Sequence, residues 1–316
     1  MMKREIHEPH QAIEASNDRE RFTLTLFDRL WEQYHRRVSY VQVYEQIVRE
    51  SGATFVNDHI AFRTFANQTP TTGIVSLSRI FEALDYRAAA VYHFPDKHLN
   101  AIHYQHPHPE FPKLFISELK TWEVSDEARQ LVSNTLTSHR EPLATSLLSE
   151  LSRIDDDRTT SRRLDDLIDY FQQLPWQVPE REAVEALNRE SQYAAWVLVH
   201  GYNVNHFTSL VNSHGVDSLN DLKKTISALS EAGVPLKRDI EGEPGSKLRQ
   251  SATEAVTIDV DVTINGKHGT MPWTYAYFEL AERNLIVDPA TGKQTRFEGF
   301  LGPQATNLFE MTKVMQ

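Results

Sequence analysis

The spacing of hydrophobic residues predicts helices at the start of the chain and strands directly after them. Apolar residues recur at helical spacing over residues 21–50, in two stripes that indicate two amphipathic helices. The period shortens to two over residues 55–65, where the sequence FVNDHIAFRTF predicts a strand. A helical period returns over residues 71–84, and three β-rich runs follow, at 87–94, 100–106 and 113–119. This part of the chain therefore has the order strand, helix and three strands.

The same order recurs near the end of the chain, after a long helical stretch. Residues 120–190 are mostly helical in pattern, and the amphipathic segment 161–174 ends before Pro175. From residue 193 onwards the pattern predicts a strand around VNHFTSLV, a helix over 218–232 and further strands. Those strands are at 236–237, 255–264 and 274–280, with Asn265–Gly266 as a hairpin-turn signal. Two short echoes support a repeat: VNDHIAFRT resembles VNHFTSLV, and LFISEL resembles YFELAER.

We therefore predict an α+β protein in which two βαβββ units form one cupped mixed sheet. Residues 1–20 are polar and are expected to be frayed. Residues 21–316 are expected to form a single domain. It divides into N-terminal helices (21–54), a first unit (55–119), a helical insertion (120–192), and a second unit with the C-terminal segment (193–316).

Charge and composition narrow the partners and the chemistry. The 316 residues carry 33 Lys and Arg against 44 Asp and Glu, which argues against a broad nucleic-acid surface or binding to an anionic membrane. No Cys is present, so thiolate nucleophiles and Cys-type metal sites are excluded, whereas 14 His leave His and carboxylate ligands open. The N-terminus has no apolar signal region, and the longest apolar run, 194–199, is too short to span a bilayer. We expect a cytoplasmic protein with no membrane or nucleic-acid partner, and the oligomeric state stays open.

The repeated pattern brings three metal-ligating residue types together. Side chains on the concave face of the first and last strands of each unit converge in a cupped sheet. His59, His206 and Glu279 would then form a facial triad of two His and one carboxylate, which leaves open positions on Fe(II) for oxygen chemistry. Strand alternation puts Arg63 on the same face as His59, about 13 Å away along the strand. Its guanidinium fork suits the distal carboxylate of a metal-bound substrate.

Other residues compete with this interpretation. Taken singly, His59 and His206 have the ordinary alternative of hydrogen-bonded structural His, and His200 is a rival ligand. The tract HYQHPHP at residues 103–109 looks like a metal site, but its Pro residues favour an exposed turn. Glu118 is the acid that echoes Glu279 in the first unit, and whether it binds metal stays open. In the segment EPGSKLRQSATEA (243–255), Arg249 or Lys247 could meet an anionic ligand and Gln250 could hydrogen-bond it, or the basic residues could lie on a surface strand.

The chain resembles the 2-oxoadipate dioxygenase/decarboxylase family. The resemblance rests on five segments and covers nearly the whole chain: HIAFRTF (59–65), VNHFT (204–208), LRQ (248–250), YFELAER (277–283) and FEGFLGPQATNLFE (297–310). It implies a fold similar to the vicinal-oxygen-chelate modules of glyoxalase. It also implies an Fe(II) enzyme that uses O2 to turn 2-oxoadipate into 2-hydroxyglutarate and CO2 in lysine breakdown.

Carried over by match, the resemblance implies the metal ligands His59, His206 and Glu279 and the substrate-binding residue Arg63. Gln250 matches a polar residue near the substrate, and we assign it and Arg63 to catalysis. Substrate contacts are also predicted for Arg249 and Gln304. The chain is shorter than well-known members, and Gln304 and Asn307 stand where smaller residues are expected, so the distal pocket could differ in shape.

Three functions are consistent with the sequence. The leading hypothesis is an Fe(II) dioxygenase that oxidatively decarboxylates a 2-oxo dicarboxylic acid, most simply 2-oxoadipate. The second is a glyoxalase-type isomerase or lyase that uses another metal and no O2, with Glu118 as a fourth ligand or base. The third is a protein of the same fold that only binds a small molecule. Fe(II) is the predicted cofactor, and the predicted partners are the 2-oxo acid and O2.

Overall fold

The N-terminal residues fold into helices that cover one face of a sheet. The computed structural model of the protein describes residues 8–140, 143, 145–154, 157–289, 291–302 and 312. Helices α1 (Asp18–Arg37) and α2 (Ser39–Glu50) follow the two predicted stripes, and the Asn17 side chain caps α1 by accepting from the Glu20 amide. The fraying predicted for residues 1–20 is wrong over their later part, because Pro9–Ala12 form a 3-10 turn and His10 is buried against Asp28. Residues 1–7 lie outside the described residues.

The first unit has the predicted order strand, helix and three strands. Its elements are β1 (Asn57–Ala66), α3 (Ile74–Ala83), β2 (Arg87–Phe94), β3 (Leu99–Gln105) and β4 (Lys113–Lys120). The insertion that follows is helical, as the pattern predicts, and comprises α4 (Asp126–Leu136), α5 (Thr145–Leu151), α6 (Asp157–Gln172) and α7 (Arg181–Glu190). A further helix, α8 (Gln192–His200), extends beyond the predicted end of the insertion at residue 192.

The second unit supplies three strands to the sheet. Its elements are β5 (Val204–Leu210), α9 (Leu222–Glu231), β6 (Leu248–Ala252), β7 (Thr257–Ile264), β8 (Lys267–Thr274), β9 (Glu279–Arg283), β10 (Leu285–Val287) and β11 (Gln294–Arg296). The predicted strand at 274–280 is displaced, because β7 and β8 pair with each other as a separate hairpin and β9 begins only at Glu279. Asn265 and Gly266 both have positive φ at the tip of that hairpin, which confirms the predicted turn.

Both units form one seven-stranded mixed sheet with the strand order β2-β3-β4-β1-β5-β9-β6. Within each unit the first and last strands are parallel, β1 with β4 and β5 with β9, and the two units join through the antiparallel pair β1–β5. This topology confirms the predicted α+β class and the cupped mixed sheet made of two related units.

The two faces of the central strands have different neighbours. On one face, the Phe207 ring contacts Trp31 of α1 and the Phe62 ring contacts Phe171 of α6, at centroid distances of 5.0 and 5.2 Å. The opposite face carries His59 and Arg63, and helix α8, which is buried from Tyr193 to His200, packs over Arg63. The core thus lies under the helices, and a lined pocket lies on the other face.

A pseudo-twofold relation connects the two units at the β1–β5 junction. His59 pairs with Thr208 and Ala61 with His206, so the two His occupy mirrored positions about the central pair Ile60–Phe207. The last strands repeat another feature, because Glu118 accepts a hydrogen bond from the first amide of α3 and Glu282 from the first amide of α9, both at 2.9 Å. Glu282, and not Glu279 as the sequence echo suggested, is therefore the structural counterpart of Glu118. Three residues before each of these two acids lie Phe115 and Glu279, which are counterparts of each other.

Candidate metal centre

The three predicted ligands come together at the junction of the two units. His59 lies on β1, His206 on β5 and Glu279 at the start of β9, where it pairs in register with Thr208. His59 Nε2 is 3.3 Å from His206 Nε2 and 3.6 Å from Glu279 Oε1, and His206 Nε2 is 3.2 Å from Glu279 Oε2. Among the described residues, these three form the one His and carboxylate group compact enough to hold a metal ion.

The donor set fits a transition-metal ion. Metal bonds of about 2.1 Å place neighbouring ligand atoms about 3 Å apart, close to the three separations found here. Glu279 is fully buried, and its Oε2 has no hydrogen-bond donor among the described residues. A buried carboxylate in that position needs a cation or a proton to offset its lost hydration.

The pocket keeps the imidazoles of His59 and His206 neutral and gives the Glu279 carboxylate too little positive charge to offset its burial. Burial lowers the pKa of both His59 and His206, so the two rings stay neutral and keep a lone pair for a metal. Burial, followed by the nearby charge of Glu241, raises the pKa of Glu279 well above its usual range. A divalent cation would reverse that shift by stabilising the ionised form.

A β-bulge precedes each His and supplies the partner of its second ring nitrogen. Asp58 is the extra residue between the pairs formed by Asn57 and His59, and its Oδ2 lies 2.8 Å from His59 Nδ1. Asn205 is the extra residue beside His206, and its Oδ1 lies 3.0 Å from His206 Nδ1. Both contacts fix Nδ1 as the protonated nitrogen when Nε2 acts as a ligand.

The Asp58 carboxylate is itself held by a buried ion pair. Arg283 donates from Nε to Asp58 Oδ1 at 2.6 Å and from Nη2 to Oδ2 at 2.8 Å, a two-point fork that keeps the pKa of Asp58 well below its usual range despite burial. The Nη1 of Arg283 donates to the carbonyls of Phe297 and Gly299. The ring of the following Phe300 stands edge-on to His59 at 4.8 Å. One guanidinium therefore supports a ligand and a wall of the pocket together.

Arg63 and the three candidate ligands line the same pocket, as strand alternation predicts. The pocket has about 390 Å³ that protein atoms do not fill, part of it open to solvent, and Phe115, Ser117, Tyr277 and Phe300 are among its walls. The Arg63 guanidinium carbon lies 5.1 Å from the ring centre of Tyr193 and 5.2 Å from that of Trp196, both on α8. Its Nη1 donates to the Thr312 hydroxyl at 2.8 Å. Burial lowers the pKa of Arg63, as expected for a cation removed from water.

The remaining predicted site residues divide between the two faces of β6. Gln250 lines the pocket and donates from Nε2 to Glu279 Oε1. Arg249 is its neighbour on the strand and therefore points the other way, where it pairs with Glu282 at 3.3 Å. The predicted substrate contact of Arg249 is accordingly wrong. Gln304 and Asn307 lie outside the described residues.

The competing ligands have structural roles elsewhere. His200 lies with Nε2 2.8 Å from the Thr274 carbonyl oxygen, and burial lowers its pKa to about 3. His106 stacks on Phe111 at 4.2 Å, and His103 lies 2.9 Å from the Tyr92 hydroxyl. Glu118 caps α3, and a side chain at Gly73 would place its Cβ 2.6 Å from the Glu118 carboxylate. The part of the chain that the structure describes thus gives Glu118 no place in the metal centre.

Sequence reasoning missed Asp58, Arg283 and Asn205. The signal for Arg283 was present, because it shares strand parity with Glu279, four residues earlier. Asp58 and Asn205 each precede a predicted ligand, but a bulge changes the parity on which alternation depends.

Comparison with known proteins supports an enzyme of one family. The sequence model of a family described as 2-oxoadipate dioxygenase/decarboxylase matches residues 26–311. A curated relative from Arabidopsis thaliana, named "2-oxoadipate dioxygenase/decarboxylase, chloroplastic", is 30% identical over 277 residues, which span 81% of this chain and 67% of the relative.

Solved structures share the fold. A hydroxyglutarate synthase from Oryza sativa, crystallised in complex with 2-oxoadipate, aligns with a TM-score of 0.75 at 24% identity, over 95% of this chain and 94% of the other. A putative glyoxalase superfamily protein from Ralstonia eutropha aligns with a TM-score of 0.77 at 23% identity, over 92% of this chain and 93% of the other. The second likeness agrees with the predicted similarity of fold to glyoxalase-like modules.

The predicted cytoplasmic location is wrong on this comparison, because the curated relative is chloroplastic by name. The prediction used the polarity of the first residues, which argues against a secretory signal but does not separate cytoplasmic from organellar proteins, since transit peptides are polar and amphipathic too. No helix in the described part of the chain combines the length and apolar character that crossing a membrane requires.

Proposed function

The chain belongs to the 2-oxoadipate dioxygenase/decarboxylase family, and from that premise we propose that it oxidatively decarboxylates 2-oxoadipate to 2-hydroxyglutarate and CO2. Fe(II) is the proposed cofactor, with His59, His206 and Glu279 as its ligands and O2 as the oxidant. The observation that carries this proposal is the convergence of the three ligand atoms within 4.8 Å of one another in a buried pocket.

The proposed reaction balances without a second organic substrate. One C–C bond breaks to release CO2, and one atom of O2 enters the carboxylate that replaces the 2-oxo acid. The other atom of O2 enters the new hydroxyl group on the shortened chain. Fe(II) bound by two His and one carboxylate would chelate the 2-oxo acid and activate O2 in the positions that the protein leaves open.

The protein's own groups would orient the acid along the pocket. Arg63 lies on the same strand and face as His59, so a dicarboxylic acid held by the metal at one end can direct its far carboxylate to the guanidinium. Tyr193 and Trp196 pack against that guanidinium and limit its movement. Phe115 and Phe300 line the pocket with apolar surface and keep water from it.

Gln250 has the role of holding the carboxylate ligand. Its amide donates to Glu279 Oε1, which leaves Oε2 directed towards His206. We propose that this bond selects the orientation in which Glu279 binds the metal through one oxygen. Arg63 and Gln250 thus serve the two ends of the site, the substrate and the metal.

Oxygen uptake is the experiment that tests this proposal. Protein prepared without oxygen and reconstituted with Fe(II) should consume O2 on addition of 2-oxoadipate, with equal amounts of CO2 and 2-hydroxyglutarate formed. With ¹⁸O2, one label should appear in the hydroxyl group and one in a carboxylate of the product. Conversion of the acid in the absence of O2 would instead favour the glyoxalase-type reaction.

A matched pair of His variants locates the chemistry. His206→Ala should lose metal binding and oxygen uptake, whereas His200→Ala removes an equally buried His outside the pocket and should keep both. Full oxygen uptake by His206→Ala, or by Glu279→Ala, would refute the assigned ligand set.

A further inference from the structure

The two bulge residues that orient the metal-ligating His differ in what their second polar atom does. Asp58 uses both carboxylate oxygens within the protein, because Oδ2 contacts His59 and both oxygens accept from Arg283. Asn205 uses only one of its two polar atoms. Its Oδ1 contacts His206, and its Nδ2 has no hydrogen-bond partner among the described residues.

The orientation of the Asn205 amide follows from the role of His206. Nε2 of His206 faces the other ligand atoms, so Nδ1 carries the proton and donates it to an oxygen. The Asn205 amide must therefore present Oδ1 to the ring, and its NH2 group points elsewhere. Asn205 is 1% exposed and lines the pocket that contains His59, Arg63 and Glu279.

A buried NH2 group without an acceptor is unfavourable and requires an explanation. The acid proposed to bind the metal carries carboxylate and keto oxygens, and these are the acceptors that the NH2 group lacks. Asp58, at the equivalent position in the first unit, has no hydrogen to offer and contacts Arg283 outside the pocket lining. Of the two bulge residues, Asn205 is therefore the one that offers a donor to the pocket.

We propose that Asn205 is a substrate-binding residue whose Nδ2 donates a hydrogen bond to an oxygen of the metal-bound 2-oxo acid. This inference rests on the proposed function and adds a contact to it. Asn205 then has two roles, one through each polar atom: Oδ1 orients His206 for the metal, and Nδ2 binds the acid. Asp58 has the first role only.

Binding measurements on Co(II)-loaded protein separate the two roles without turnover. Co(II) affinity is measured by titration, and the affinity for 2-oxoadipate is measured by calorimetry at saturating Co(II). Asn205→Ala should bind the acid about 10–100-fold more weakly, the effect of losing a hydrogen bond to a charged group. Asn205→Asp keeps an oxygen for His206, so its Co(II) affinity should stay within about threefold of wild type while acid binding falls at least as far as in Asn205→Ala.

Two comparison variants make the result specific. Asp58→Asn should weaken Co(II) binding by about 10–100-fold, as expected for a residue that orients a ligand, and should weaken acid binding at saturating metal less than either Asn205 variant does. Glu282→Gln disturbs an equally buried acid on the other side of β9 and should change neither affinity. Acid binding by both Asn205 variants as tight as in wild type would overturn the inference. Failure of the wild-type protein to bind 2-oxoadipate would instead refute the proposed function.

Discussion

Replacing Glu279 by Gln should stabilise the metal-free protein and remove its response to metal ions. Glu279 is fully buried beside two neutral imidazoles, and burial raises its pKa, so the ionised carboxylate is unfavourable until a cation binds. The Gln side chain has the same shape without the charge. Its oxygen can still accept from Gln250, and its NH2 group can donate to His206 Nε2.

Two opposing terms set the expected size of the effect. A buried carboxylate costs several kcal/mol of hydration, and the hydrogen bond from Gln250 returns about 1.5–3 kcal/mol. We therefore expect the free energy of unfolding of the metal-free variant to rise by about 1–3 kcal/mol. A metal present at a hundred times its dissociation constant stabilises wild type by about 2.7 kcal/mol, and the variant should lose that increment.

Urea unfolding with and without Zn(II) measures both terms in one series. The pH dependence gives a further check, because a carboxyl with a raised folded pKa holds its proton longer in the folded state. The contribution of Glu279 to the stability of the metal-free wild type should therefore become more favourable as the pH falls towards about 4.3, the usual pKa of Glu, and the difference in stability between wild type and variant should shrink. A metal-free variant less stable than wild type at neutral pH, or one stabilised equally by Zn(II), would refute the reasoning.

Three further predictions concern residues around the site. Arg63→Lys should lower kcat/KM for the 2-oxo dicarboxylic acid about 10–10²-fold, because Lys lacks the two-point fork of the guanidinium. Steady-state kinetics with a 2-oxo monocarboxylic acid should show a smaller loss, and equal losses would contradict carboxylate binding by Arg63. Burial lowers the pKa of His200 to about 3 in the folded protein, so below about pH 6.5 this residue takes up a proton only in the unfolded state. The free energy of unfolding should therefore fall by about 1.4 kcal/mol per pH unit in that range on account of His200. His200→Gln should flatten that slope in urea unfolding between pH 7 and 4 and leave Zn(II) affinity unchanged, whereas weaker Zn(II) binding would restore His200 as a ligand. Glu118→Gln should lower the free energy of unfolding by about 1 kcal/mol, because it weakens the cap of α3. Metal affinity measured by titration should not change. Loss of metal binding in this variant would instead support the glyoxalase-type reaction, in which Glu118 is a ligand.

Local periodicity was sufficient to predict the face on which the site lies. The alternation of HIAFR put His59 and Arg63 on one side of a strand, and the pocket lining has both. The echo between the two units also identified His206 as the second His, and the register of β1 and β5 places the two at mirrored positions. These features depend on neighbouring residues of a strand, which the sequence displays directly.

Features that depend on distant pairing were not predictable in the same way. The echo aligned Glu118 with Glu279, but the hydrogen bonds to α3 and α9 relate Glu118 to Glu282. β7 and β8 pair with each other and form a hairpin separate from the main sheet. The alternating pattern of each strand predicts that it is a strand, but it does not predict which strand it pairs with. The bulges at Asp58 and Asn205 insert one residue each and break the alternation on which the prediction relied.

The correspondence between Phe115 and Glu279 has a consequence for how this protein could change its chemistry. Among the described residues, one of the two related units contributes a carboxylate to the pocket, and the matching position in the other unit is an apolar ring. The number of carboxylates that face the pocket therefore depends on the residue at position 115. If His59, His206 and Glu279 hold a metal as proposed, Phe115→Glu would supply a further carboxylate for it and leave too few open positions for a chelating acid and O2 together. On the proposed function, one residue therefore distinguishes a three-ligand centre that can hold the acid and O2 together from a four-ligand centre that cannot.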